Sequence, residues 1–419
     1  MNGLWFGPGT STKGNDRYRS RMPATQRDQL PIEQLNELSF YGLAGAPKSP
    51  RDLIAECRDG EALGFGSVFL SERLNIKEVV TLSGAAAAVT ETLGIATGAT
   101  NHNTRHPVVT ASFATTMHRM TGGRFALGLG RGIERMFDAF GIPRITTAQV
   151  EDFVGLMRRL WRGEVIVGHD GPAGKFPVLA LDPTFDEAIP LMFTAFGPQS
   201  LALCGRAFDG VILHTFFTDE TLQRCVQTVK TAAEQAGRDP ASVRVWSCFA
   251  TIGDWIPEDV RLKKTVGRLA TYLQGYGDLL VRTNNWDPAA LARFRADPFV
   301  AGFRGALDAV ATTAELQHVA TLIPDEWLAP AASGSRRAMR GCCAASTRSR
   351  RRRRHPSRRG SERTRADGRG LSPDPPRRPF RPSRGQSGRL TGRGTIVVWL
   401  LRILGSNSRR VWICPSIRT

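Results

Sequence analysis

The chain has 419 residues, 41% hydrophobic and 23% charged, the proportions of an ordinary globular protein with material for a large core. Its formal charge of +19 points at first to a nucleic-acid binder. Position overturns that reading. Residues 336–419 hold 24 Arg, no Lys and three acids (Glu362, Asp367, Asp374), leaving 33 basic against 35 acidic residues upstream. The body is near neutral, and the basic signal belongs to the last 84 residues. The seven cysteines form no C-x-x-C pair, and no histidine cluster completes a zinc site, so no metal is expected. Cys57, Cys204, Cys225 and Cys248 sit in apolar runs and read as buried thiols of a reducing compartment. Residues 1–36 lack the apolar stretch of a signal peptide. The run Thr395–Leu404, interrupted by Arg402, is too short to span a bilayer. A cytoplasmic protein with no membrane partner is expected.

Three regions follow in chain order: a flexible leader at 1–37, a folded domain at 38–333 and an Arg-rich, low-complexity tail at 334–419. The first strand is predicted at Leu38–Ala44. Ser49-Pro50-Arg51-Asp52 then reads as a helix start, with Ser as the cap, Pro at the first position and Asp on the positive end of the dipole. Leu53, Ile54, Cys57 and Ala62 continue it as an apolar stripe that Gly64 and Gly66 end. Further strands are predicted at Ser67–Leu70, Leu93–Ala99, Arg124–Leu129, Pro190–Ala195, Asp209–His214 and Val243–Thr251. Helices are predicted between them at Val79–Val89, Val108–Met120, Thr147–Trp161, Gln199–Ala207, Thr218–Ala236 and Pro257–Gln274. Residues 165–189 form an irregular excursion with a small hairpin, and a last helix is expected near Thr313–Leu322.

Alternating strands and helices call for an α/β architecture with a parallel sheet. Seven strands fit a (β/α)8 TIM barrel whose eighth β-α unit is missing or frameshifted; a doubly wound sheet is the rival. The tail has two readings: a disordered basic arm, or sequence translated out of frame. Arg without Lys is what GC-rich DNA yields in a wrong frame, and a one-base shift across Arg352–Gly360 can encode the same run as Asp209–His214.

Five features could carry chemistry. Gly128, Gly130 and Gly132 alternate at a strand end, which either lets a flat ligand lie against the backbone or marks a tightly packed junction. Their spacing is not a dinucleotide-binding fingerprint. Thr194-Ala195-Phe196-Gly197-Pro198 joins a strand to a helix whose first N–H groups form a ready seat for a phosphate. The loop Thr100–Pro107 carries His102, Arg105 and His106 after strand three, at the face where barrels keep their active sites; His106 reads equally as a structural group at a helix start. Glu72 and Arg73 follow strand two, as a solvated pair or as pocket lining, and His214 ends strand six. No nucleophile elbow, Walker loop or catalytic triad stands out, so chemistry by a bound cofactor is expected.

The runs Thr104-Arg105-His106-Pro107, Thr121–Gly130, Ile189–Pro198 and Ala207–Val211 resemble, in order and spacing, the bacterial luciferase-like superfamily, and most closely its coenzyme F420-dependent branch. The likeness covers roughly residues 38–333. It implies a TIM barrel of the luciferase type holding a deazaflavin, coenzyme F420, at its C-terminal face, with FMN as the alternative cofactor. It implies ring contacts at Glu72 and Arg73 and a non-prolyl cis peptide behind the ring within Thr97-Gly98-Ala99. Further cofactor contacts fall at Arg131 and Gly132, at Thr194, Ala195, Gly197 and Pro198 on the phosphate side, and at His214. His102, His106 and Glu72 are the expected catalytic groups, for proton transfer or orientation. Glu72-Arg73 departs from the Asp-His of some relatives, and Phe196 from their Gly. The leading expectation is an F420-dependent oxidoreductase moving a hydride to or from a small organic substrate. Its rivals are an FMN-dependent monooxygenase fed by a partner reductase, a nucleic-acid binder acting through the Arg-rich tail, and an inactive truncated barrel. A homodimer is among the assemblies open to it.

Overall fold

The computed structural model describes residues 35–45, 47–329, 332–334 and 398–404. Residues 1–34 of the expected leader and most of the tail lie outside them; Leu35–Glu37, expected as leader, instead open the first strand, which ends at Tyr41 and not at Ala44. Strand β1 spans Leu35–Tyr41. Ser49 does not cap the next helix as expected: its hydroxyl accepts the Arg51 N–H at 3.1 Å and its carbonyl the Asp52 N–H at 3.2 Å, which closes a turn, and the helix begins two residues after Pro50 with Arg51 at its cap and no side-chain cap bond. The helix Asp52–Ala62 ends at Gly64, whose φ of +79° only glycine adopts freely. Strands β2 (Phe65–Leu70), β3 (Gly94–Thr97) and β4 (Phe125–Leu129) follow, separated by helices Val79–Val89 and Pro107–Met120. The excursion at 165–189 is the hairpin β5 (Ile166–Gly171) and β6 (Gly174–Leu179), as expected. Strands β7 (Leu191–Thr194), β8 (Gly210–Ile212) and β9 (Arg244–Gly253) complete the parallel set.

The sheet runs β1-β2-β3-β4-β7-β8-β9, every neighbouring pair parallel. It is a curled α/β barrel wall, and the doubly wound rival falls. Beyond β9, a short strand β10 (Ala332–Gly334) pairs parallel with Thr251–Gly253. No full parallel eighth β-α unit occurs among the described residues. Its slot between β9 and β1 is taken by β11 (Val398–Leu404), antiparallel to both. Val398–Leu404 stand opposite Thr251–Val245, and Leu400–Arg402 opposite Phe40–Leu38, so seven residues of the Arg-rich tail belong to the sheet.

One layer of side chains fills the barrel: Phe69, Ala96, Ala126, Met192, Ile212 and Trp246, with Tyr41 against them. The two small groups come from the adjacent strands β3 and β4, and the large ones from the strands on either side. Ala96 and Ala126 leave the width that Phe69 and Trp246 occupy, edge to face at 5.1 Å. The outward strand residues, such as Val68, Ile95, Leu127 and Val245, form the larger core against the helices. Cys57, Cys204, Cys225 and Cys248 are buried free thiols, as expected. No helix among the described residues is long and apolar enough to cross a membrane.

The helix predicted at Pro257–Gln274 is instead three pieces: Glu258–Leu262, a π turn at Lys263–Gly267, and Arg268–Asn284. The last is bent at Tyr276 (φ −154°, ψ 38°), which sits between Gly275 and Gly277, where the backbone is least constrained. The wide turn and the bend set side chains of this segment over the mouth of the barrel.

Candidate active site

Loops from the C-terminal ends of the parallel strands build this mouth, and local packing decides what each sequence candidate does. Thr97 is fully buried, and its hydroxyl accepts the Gly128 N–H at 2.7 Å and donates to the Gly128 carbonyl at 2.8 Å. It laces β3 to β4 past the last ladder pair, Ala96 with Ala126. A Cβ on Gly128 would collide with the Thr97 carbonyl, and one on Gly130 would lie 2.5 Å from Thr194 Oγ1. Gly132 (φ +74°) packs on the Phe137 ring. The alternating glycines are therefore filled by protein atoms, and the packed-junction reading prevails over the ligand-facing one at these positions. The Gly98-Ala99 peptide is cis, at the stretch the resemblance marked.

Gly197 is the contrast. A Cβ there would meet nothing within 4 Å. It stands before helix Pro198–Ala207, with Pro198 at the first position, and the first-turn N–H groups have no intrahelical acceptor. Thr194 and Ala195 lead into it: Thr194 Oγ1 donates to the Leu129 carbonyl at 3.3 Å, and the Ala195 N–H to that of Ile212 at 3.2 Å. The open backbone at the start of a ten-residue helix is what a phosphate needs.

Glu72 and Arg73 do not pair with each other. The Glu72 carboxylate is almost wholly buried and accepts from the Val79 N–H (3.1 Å), Thr100 Oγ1 (2.9 Å) and Arg105 (2.8 Å). Arg105 also bonds Thr100 Oγ1 at 2.8 Å and Glu78. Much of the polar loop is thus a clamp between β2 and β3, and Glu72 is its anchor. Arg73 turns away to Asp308, 3.6 Å off. Arg131 donates to the Ile145 carbonyl and to Thr147 Oγ1, both at 2.6 Å, and so braces the approach to the next helix.

The histidines divide. His106 caps its helix, Nδ1 accepting the Val108 N–H at 3.3 Å, and its ring meets Phe176 of β6 edge on. His102 is buried with its ring 5.1 Å from that of Phe153; burial, then the nearby Arg131, pushes its pKa down to about 4. His214 follows β8 and is half-buried. Its Nδ1 lies 2.8 Å from the Thr215 carbonyl, which only accepts, so Nδ1 carries the proton. Nε2 then accepts from the Tyr276 hydroxyl, also 2.8 Å away. Phe196, Phe217, Tyr272 and Tyr276 enclose the imidazole, and burial pushes its pKa down to about 4.

Tyr272 and Tyr276 were not foreseen in the sequence. They are four apart on one helical stretch, and with Tyr41 they place three of the chain's four tyrosines around the barrel. That clustering of a scarce residue was the available signal. The aromatic wall thus stands beside the Gly197 opening, with Phe196 contacting His214 at 4.8 Å and Tyr276 at 5.7 Å.

Comparisons with known proteins agree with this architecture. The family model described as luciferase-like monooxygenase matches residues 33–314. A 5,10-methylenetetrahydromethanopterin reductase of Methanolobus tindarius is 30% identical over 261 residues, which are 60% of this chain and 77% of that one. An F420-dependent glucose-6-phosphate dehydrogenase of Beutenbergia cavernae is 33% identical over 186 residues, 41% of this chain and 55% of that one. Among solved structures, the coenzyme F420-dependent tetrahydromethanopterin reductase of Methanopyrus kandleri superposes with a TM-score of 0.57 at 19% identity, over 70% of this chain and 84% of that one, and so shares the fold. With the matched span covering most of the barrel and its mouth, the chain belongs to the luciferase-like monooxygenase family.

Proposed function

We propose that this protein is an oxidoreductase that uses coenzyme F420 to exchange a hydride with a small organic substrate. One observation carries the reading: the unobstructed backbone at Gly197, opening a helix at the barrel mouth beside a closed aromatic wall. The relative named as an F420-dependent glucose-6-phosphate dehydrogenase supports the choice of cofactor. The residues present fit the group. Gly197 and the helix start at Pro198 would hold its phosphate, and the Gly98-Ala99 backbone, with Thr194 and Ala195 nearby in the wall, would face its ring. When bound, F420 supplies the hydride-exchanging carbon of its deazaflavin.

The chain's own residues bind, shield and handle protons. Phe196, Phe217 and Tyr272 exclude water. Neutral His214 accepts from the Tyr276 phenol and holds it at the mouth, which makes Tyr276 the proton-handling group of this reading. Glu72 and His106, expected as catalytic, are committed to the clamp and the helix cap. His102 is buried against Phe153 and serves the wall.

The test is binding. Purified protein should take up one equivalent of F420, read by its absorbance after desalting. Gly197→Ala, which meets no neighbour in the folded chain, should leave the unfolding midpoint unchanged and weaken F420 at least tenfold. Uptake of FMN with none of F420 would move the chain to the monooxygenase reading.

A further inference from the structure

Four cations and two carboxylates gather where the loop after β1 meets the segment after β9. Lys77 Nζ donates to the Leu43 carbonyl at 2.7 Å and approaches that of Gly42 at 3.5 Å; Lys264 Nζ donates to that of Ala44 at 2.6 Å. Three successive carbonyls of one loop therefore face ammonium groups. Arg268 pairs with Asp308 at 2.7 Å, and Arg73 lies 3.6 Å from the same carboxylate. Both acids are committed. Asp308 sits between two guanidiniums and also accepts from Thr271 Oγ1 at 3.2 Å. Glu56 accepts the Leu43 N–H at 2.6 Å, and burial raises its pKa. The positive charge is in excess. Burial, and then Arg268 beside it, pushes the Lys77 ammonium down to about 7.

Two further observations locate the excess. Arg73 Nη1 is buried without a hydrogen-bond partner. At Gly45 (φ +86°), a Cβ would stand 3.1 Å from Lys264 Nζ and 3.3 Å from Arg268 Nη2, so two cations face one patch of bare backbone. The loop is also held in a costly shape, since Leu43 takes φ +52° without being glycine. Lysines and arginines drawn onto a strained loop, with too few acids to balance them, are stabilised most by an anion that arrives with a ligand.

We infer that Arg73, Lys264 and Arg268, around Gly45, seat an anionic group of the molecule that exchanges the hydride, a carboxylate or a phosphate ester. The substrate class is then organic acids or phosphate esters, as opposed to neutral carbonyls and alcohols. The inference rests on the oxidoreductase reading for what the anion is attached to, while the seat itself does not. The cofactor's own phosphate belongs at Gly197 in that reading, so the two anion seats are separable.

Isothermal titration calorimetry of the full chain with sodium phosphate, against sodium chloride at matched ionic strength, tests the seat. Saturable binding at a site that Lys264→Gln and Arg73→Gln each weaken at least tenfold is expected, beside any phosphate taken up at the Gly197 helix start, which neither substitution alters. The surface variant Arg206→Gln, which breaks only the pair with Glu151, should bind as the parent does. Circular dichroism identifies variants that fail to fold, and the two substitutions on different elements guard against losing both. Phosphate should still bind with F420 loaded. No saturable heat, or binding indifferent to both substitutions, overturns the seat. Displacement by F420 of the phosphate whose binding depends on Lys264 and Arg73 assigns the cluster to the cofactor and overturns the substrate class. Failure of F420 to bind at all defeats the oxidoreductase reading, while the phosphate titration still decides the seat.

Discussion

Thr97→Val is the substitution that separates a lacing role from a ligand-binding one. The two side chains are nearly the same size, and Thr97 is fully buried, so the change removes a hydroxyl and little else. That hydroxyl is the acceptor for the Gly128 N–H at 2.7 Å. The Gly128 carbonyl fares better, because it keeps the Thr100 N–H at 2.9 Å when the Thr97 donor goes. The cost is therefore one orphaned buried N–H, about 1–3 kcal/mol, plus one lost hydroxyl bond of about 1 kcal/mol. A total of about 2–4 kcal/mol should appear as a lower urea midpoint with an unchanged slope. Thr97→Ser keeps the hydroxyl and loses one methyl, for about 1 kcal/mol. The expected order is parent, Ser, Val, in protein that carries no cofactor. If Val lies within about 0.5 kcal/mol of the parent, or above Ser, the hydroxyl is not lacing the strands.

Further outcomes follow from the same geometry. Tyr276→Phe removes the phenol that His214 accepts from and should lower kcat at least tenfold while leaving F420 affinity unchanged; an unaltered kcat would remove Tyr276 from proton handling. Stability should fall as pH drops from about 6.5 toward 4, because His102 and His214 stay neutral to about 4 when folded and take up protons near 6.5 when unfolded. The folded pKa values are the depressed ones, so this stability is complete above 6.5 and, at its limit, on the order of 3 kcal/mol per histidine is lost by pH 4. Urea unfolding at pH 7.5, 6 and 5 reads it, and His102→Leu should flatten the slope; equal midpoints at the three pH values would count against burial of neutral rings. Deleting residues 398–404 unpairs β11 from β9 and β1, and amide hydrogen exchange should quicken along Val245–Thr251. Exchange unchanged there would mean that β11 contributes nothing to the wall.

The strands were legible because parallel strands covered on both faces are apolar throughout, and runs such as Phe125–Leu129 and Leu191–Thr194 stand out at any register. The helix start at Thr147 was legible from its apolar period, whereas Ser49-Pro50 closes only a turn and the helix begins at Asp52. What stayed hidden is partnership. Glu72 next to Arg73 reads as a pair, yet backbone geometry sends one to Arg105 and the other to Asp308. Gly128 and Gly197 are the same residue at the same kind of strand end; one is closed by the Thr97 carbonyl and the other faces open space. Only the neighbour that a Cβ would meet tells them apart, and that neighbour comes from another strand. The Lys264 ammonium reaches Ala44 across 220 residues of chain, through a π turn that periodicity cannot signal. Element type is thus written locally, in hydrophobic runs and caps, whereas the site is written in separations that only barrel closure brings together. It follows that variants at the loop contacts, such as Lys264→Gln and Tyr276→Phe, should change binding or turnover far more than they change the fold, and that variants of the lacing residues, such as Thr97→Val, should do the reverse.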